Sequence, residues 1–200
     1  MPPSLDLPNP RSAQIDVTPL RTALAELHSP WRTHRDAAVD DVRAFPQCYP
    51  PPVLYAMAHA LSARGERDEA LFWYHAGQLR ARFDVERCAD PTVVDVVERL
   101  RHQYGEPINS YAFVDAELSV LRAAVRRAVD WDRATAHDYD HRWVNLHGVL
   151  AFAGPGAGVA LSRPRAQWSG IAERVRVDYL AGMDSVLRDL ERWAPLSASA

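Results

Sequence analysis

The densest group of chemistry-bearing side chains is His137-Asp138-Tyr139-Asp140-His141, followed by Asn145 and His147. On a helix, His137 and His141 stand one turn apart on one face. Imidazoles at that spacing can share a divalent ion, and Asp138 or Asp140 can add an oxygen ligand. That reading makes the chain a metal-dependent hydrolase, although the segment lacks the glutamate of the zinc-protease pattern His-Glu-x-x-His. The other reading is a polar turn whose Asp and His side chains cap neighbouring helices and pair with Arg133 or Arg142. The remaining histidines (His28, His34, His59, His75 and His102) are scattered and read as solvated or hydrogen-bonded in place.

Other chemical signals are weaker. Gly154-Pro155-Gly156-Ala157-Gly158 has the glycines of a phosphate cradle but no Gly-Lys-Ser/Thr ending and no preceding strand. It reads as a mobile loop, and such a loop can bind a partner. Ser110 and Ser169 lie outside any nucleophile-elbow sequence. Cys48 and Cys88 form no Cys-x-x-Cys motif; they are free thiols or a single bridge, not a disulfide framework. No catalytic set emerges, no cofactor is expected, and the balance leans away from an enzyme.

The surface signals point to binding. Gln78-Leu79-Arg80-Ala81-Arg82 with Arg87 gathers guanidinium groups near one helix end. There they either complement the helix dipole or face an acidic partner. Phe72-Trp73-Tyr74 cannot all face one core, so one of them is partly exposed or contacts another helix. Arg and aromatic residues are enriched at interface hot spots. The candidate partner-binding residues are therefore Trp73, Arg80, Arg82, Arg87 and Gly156 of the glycine loop.

The elements that must position these residues are helical. A 200-residue chain with 48% apolar and 24% charged residues suits one domain with a real core. A net charge of -3 with mixed signs argues against a nucleic-acid surface. All 23 basic residues are arginine, which points to a GC-rich bacterial genome. No apolar run approaches the roughly 20 residues of a membrane span, and Met1–Pro10 lacks a signal-peptide pattern, so the expected location is cytoplasmic.

Residues 1–16 read as a flexible arm and 17–196 as a single domain. Thr18-Pro19 starts a helix with Leu20, Ala23, Leu24 and Leu27 on one face. A short helix is expected over Asp36–Phe45, then a proline-rich connector to Pro52. Leu54, Met57, Ala58 and Leu61 share a helical face that Gly65 ends, and Asp68 can cap the next helix. Asp90-Pro91 opens a helix burying Val93, Val97, Leu100 and Tyr104. Glu106 to Asn109 is a turn, and Asp115 starts a helix with Leu118, Leu121, Val125 and Ala128 inward. A helix is expected from Arg142 to Phe152. A last, long one spans Arg165–Trp193 with Trp168, Ile171, Val175, Tyr179, Met183, Val186 and Leu190 as its stripe. No segment alternates with a strand's period, so about seven helices should form a compact bundle or short solenoid.

Leu54-x2-Met57-Ala58-x2-Leu61-x3-Gly65-x4-Ala70-x3-Tyr74-x2-Gly77 resembles a tetratricopeptide or Sel1-like repeat. Asp68-Glu69-Ala70 followed by Trp73-Tyr74 is closer to the Sel1-like variant. The resemblance covers about residues 53–82; Arg82 stands where the family has a proline, and no second copy follows. It implies a helix hairpin covered by the rest of the domain and a protein-binding role. Short helical proteins of this kind also resemble bacterial immunity proteins that neutralise antagonistic toxins, some of which carry Sel1-like repeats. The expected function is a helical scaffold that binds a cognate toxin or another protein, with no nucleic-acid or membrane partner. Homodimer formation through the final helix is also open.

Overall fold

The computed structural model describes residues 15–152 and 160–197. The fold is all-α, as the periodicity predicts. Its helices are α1 (Thr18–Leu27), α2 (Arg32–Ala44), α3 (Pro51–Ala63), α4 (Arg67–Arg87), α5 (Val96–Tyr104), α6 (Glu106–Ser110), α7 (Leu118–Ala134) and α8 (Trp168–Ser197). 3-10 turns stand between α2 and α3, between α4 and α5 and between α7 and α8, and a π-helical turn, Tyr111–Asp115, continues α6. Among the described residues no strand forms; Cys88 and Ser162 make one isolated antiparallel bridge.

α3 begins on Pro51 and Pro52, whose missing N–H groups cost nothing in a first helical turn. It ends at Gly65, which adopts φ +83°, a left-handed conformation that only glycine takes without strain. α4 then starts at Arg67. Asp68, expected as its cap, lies inside the first turn, where its carboxylate suits the positive helix end and accepts a hydrogen bond from the Tyr111 hydroxyl.

The two helices cross closely at Gly77. A Cβ placed there would stand 3.1 Å from Cδ2 of Tyr55 and 3.4 Å from Cβ of Leu54. A Cβ alone requires the Tyr55 ring to give by a few tenths of an ångström, and a longer side chain must push further into α3. Gly77→Leu is therefore expected to destabilise the protein by about 2–3 kcal/mol, read as a lowered urea midpoint with an unchanged slope.

α4 is the spine of the domain. It packs on α3, α5, α7 and α8, and it has no polar face. This resolves the aromatic triplet, because all three residues are buried against other helices. Phe72 and Trp73 meet the edge of Trp131 on α7, with ring centroids 6.1 and 5.2 Å apart, and Tyr74 meets Tyr55 on α3 at 5.3 Å.

Several boundaries differ from the sequence reading. α2 starts at Arg32, earlier than expected. Ile15, assigned to the arm, is buried in the core. The helix after Asp90 opens as a 3-10 turn, with the Asp90 carboxylate accepting from Thr92 N, and Val96 rather than Val97 is the more buried residue. The expected turn at Glu106–Asn109 is helical. The expected α-helix from Arg142 to Phe152 is instead two 3-10 turns, His141–His147 and Val149–Phe152. On α8 the buried side chains are Ile171, Val175, Tyr179 and Leu187, while Val186 is exposed. Cys48 is exposed and Cys88 buried, and both are free, so no bridge forms. Among the described residues no helix is long and apolar enough to cross a membrane.

Candidate functional site

Two regions collect the polar side chains: a buried seam along one edge of α4 and an open groove along another. The seam explains most of the residues singled out in the sequence. Arg80, fully buried, donates from Nε to Asp132 Oδ1 at 3.2 Å and from Nη2 to the carbonyls of Thr135 and Ala136. Its guanidinium lies 4.1 Å from the Trp131 ring centroid. Asp132, at the end of α7, also accepts from His137 Nε2 at 2.8 Å and from Arg176 Nε of α8 at 2.9 Å. Burial works against its ionised form. The bond and charge of His137, with the charges of Arg80 and Arg176, outweigh that and hold its carboxyl below the usual range.

One turn further along α4, Asp84 binds Arg87 and accepts from Trp143 Nε1 at 2.7 Å. Burial raises its pKa against the opposing pull of Arg87 and Trp143. The Arg87 guanidinium is covered by the rings of Phe83 and Trp168.

These contacts correct the partner-binding reading. Arg80 is 0% exposed, Arg87 4% and Trp73 6%, so none of the three presents a surface to a partner. They face inward because α4 packs against other helices around most of its circumference. Gly156 lies outside the described residues, as does the whole of the glycine loop. Arg82 alone of the described candidates reaches an open face.

The metal reading also meets a different geometry. Residues after Ala134 leave the helix at Thr135, so His137 and His141 do not share a helical face. His137 is spent on Asp132, and His141 Nε2 lies 2.8 Å from Ser162 Oγ. Asp140 caps the 3-10 turn through Arg142 N and pairs with the Arg142 guanidinium, while Asp138 is held through its backbone N–H on the Gln47 carbonyl. Among the described residues no group of three or more His, Cys, Asp or Glu side chains can hold a metal ion.

The His141–Ser162 contact has the form of a base beside a nucleophile, and Ser162 was not singled out in the sequence. Burial and the neighbouring Arg87 charge depress His141 to about 4, which makes it a weak base near neutrality. Asp140, the nearby carboxylate, is committed to Arg142. The pair therefore lacks the orienting third group that activates a serine.

The groove lies between α4, α5, the π-helical turn and α8, and encloses about 650 Å³. At its floor the Tyr179 hydroxyl and His75 Nδ1 are 2.5 Å apart in a shared hydrogen bond. His75 is driven down to about 3 by burial and then by the nearby Arg82 charge, so it is neutral at physiological pH. Gln78, Arg82 and Asn109 add polar groups, and valines, Phe113 and Met183 form the walls. Val94, Phe113 and Val186, three of the large apolar residues the fold leaves exposed, all border this groove. It combines apolar walls with a few convergent polar groups, as binding sites generally do. The groove residues were not legible as a set in the sequence, because they are scattered over several helices.

Compared with protein-family models, with curated proteins and with solved structures, the chain gives no match.

Proposed function

We propose that this chain is a non-enzymatic helical scaffold that binds another protein through the groove between α4, α5 and α8. The observation that carries the reading is the convergence of exposed apolar side chains on one concave face: Val94 is 72% and Phe113 45% exposed, and both border the groove. Isolated exposed apolar residues are ordinary, but a cluster lining a cleft marks an interaction surface. The seam residues that could have run a reaction are occupied with one another, which agrees with a binding role.

The α3–α4 hairpin, with a glycine at its crossing, supports the resemblance to tetratricopeptide and Sel1-like repeats. In its sharpest form the role is that of a bacterial immunity protein, occluding a cognate toxin domain without chemistry of its own. The test is capture of partners from an extract of the native host on immobilised wild-type protein and on Val94→Gln/Phe113→Gln. One partner retained in stoichiometric amount by the wild type and weakened about tenfold by the groove variant is the expected result. No partner, or one indifferent to the groove variant, sinks the reading. Light scattering on the purified protein separates self-association through α8 from binding to another chain.

A further inference from the structure

We infer that Arg82 is the specificity-determining contact of this groove: a carboxylate-recognition point that selects a partner segment with an aspartate or glutamate flanked by apolar residues. The inference rests on the proposed protein-binding role of the groove and adds the chemistry of what it accepts.

Three arginines border the groove, and two of them are neutralised within the chain. Arg101 pairs with Glu98 at 2.9 Å, and Arg174 with Glu86 at 3.6 Å. Arg82 has no carboxylate within ion-pair distance among the described residues. Its Nη1 donates to the Gln78 carbonyl and to Gln78 Oε1 at 3.2 and 3.1 Å, and its guanidinium lies 4.9 Å from the Tyr179 ring centroid. These contacts fix the plane of the group and use one nitrogen. Nε and Nη2 carry no hydrogen bond among the described residues. Those two N–H groups form one edge of the guanidinium fork, the edge that takes a carboxylate side-on through two parallel hydrogen bonds.

The surroundings favour that exchange. Arg82 is half-buried beside apolar side chains, so its charge is only partly solvated, and a carboxylate brought to it gains more than at an open surface. The nearest titratable floor group, His75, is neutral and bonded to Tyr179, so it does not compete for the anion. Val97, Val175 and Met183 supply the apolar contacts on either side. Asp178, exposed on the α8 rim, has no ion-pair partner among the described residues either, and asks for the opposite sign there. A deep cation and a rim carboxylate together orient the bound segment.

The test uses a displayed library of random 12-residue peptides panned on the immobilised full chain, followed by fluorescence anisotropy on synthetic copies of the selected sequences. The expected peptides carry an acidic residue between apolar ones. Their affinity drops by about tenfold or more on Arg82→Gln, and equally when the peptide's own carboxylate becomes an amide, with little added loss when both changes are combined. Arg82→Lys, which keeps the charge and loses the fork, recovers only part of the binding. Peptides that are weakened by Val94→Gln/Phe113→Gln but indifferent to Arg82→Gln overturn this inference and leave the groove reading intact. If every selected peptide ignores both variants, the groove reading itself fails.

Discussion

Asp132→Ala is expected to be the most damaging single substitution in the seam, costing on the order of 3–5 kcal/mol. The carboxylate neutralises Arg80, which has no access to water, and at the same time holds His137 and Arg176. Removing it leaves a guanidinium buried beneath the Trp131 ring with only the Thr135 and Ala136 carbonyls to satisfy it. A loss of that size is a large share of a typical domain's total stability. For a chain of this length it lowers the melting temperature by roughly 10 °C or more. Asp132→Asn separates charge from geometry. It keeps an acceptor for Arg80 but cannot neutralise it, and should fall between wild type and alanine. Calorimetry on the three proteins checks the order, and an alanine variant within about 1 kcal/mol of wild type would show that the seam contributes little.

The same substitution bears on the groove. α8 forms one groove wall, and Asp132 is its polar anchor to α7 through Arg176. Arg133–Glu173 and Arg122–Glu191 add exposed pairs along that contact, each worth little by itself. His75–Tyr179 ties α8 to α4 at the groove floor. A wall held at several points is already arranged for binding, which reduces the ordering a ligand must impose. The seam and the groove are thus two faces of one spine. Arg80 turns toward α7 and Arg82, two residues on, turns toward α8.

That difference between Arg80 and Arg82 shows where sequence reading stops. Helix existence was legible because apolar residues recur at helical intervals and because prolines and Gly65 punctuate them. α1, α3, α4, α7 and α8 all follow from those signals. α4 defeats the next step. A helix with a broad solvated face reveals its inward side, whereas one packed around most of its circumference does not. With no polar stripe to orient it, the clustering of arginines and the aromatic residue type put Arg80, Arg82, Arg87 and Trp73 together on a surface, when only Arg82 opens to one. The seam was hidden for a related reason: Arg80 and Asp132 are 52 positions apart, and only tertiary packing pairs them. The His137–His141 reading failed through backbone conformation. Thr135 adopts φ -117° and ψ 130°, and the Asp140 side chain caps a new 3-10 turn, so the helical spacing on which shared ligation depended does not exist. On α8 the stripe drifts by one position near its end, burying Leu187 where Val186 was expected.

Acid should weaken the protein well before the bulk of its carboxylates protonate, and His75 should account for much of that loss. The folded His75 titrates at about 3, because burial first and the Arg82 charge second disfavour the imidazolium, against 6.5 when unfolded. Above pH 6.5 both states hold it neutral and it adds no pH dependence. Below 6.5 the unfolded chain binds a proton that the folded chain refuses, so stability falls steadily until the pH reaches the folded value. Between pH 6.5 and 4.5 the loss is about 2–3 kcal/mol from this group. His141, folded value about 4, acts in the same direction, with a smaller effect because it is only partly buried. Asp84, raised by burial, works the opposite way, since its protonation favours the folded state. His75→Phe keeps a ring of similar size in the floor and removes the titration. Urea unfolding of wild type and variant at pH 6.5 and 4.5 isolates the term: the wild type should lose the larger amount, and the variant should retain only the residual slope of the other groups. The variant gives up the Tyr179 bond at every pH, which shifts both of its values together and leaves the difference between them as the measure. Equal slopes for the two proteins would mean that His75 takes up its proton in the folded state at the ordinary pH, and that the groove floor is wetter than its packing indicates.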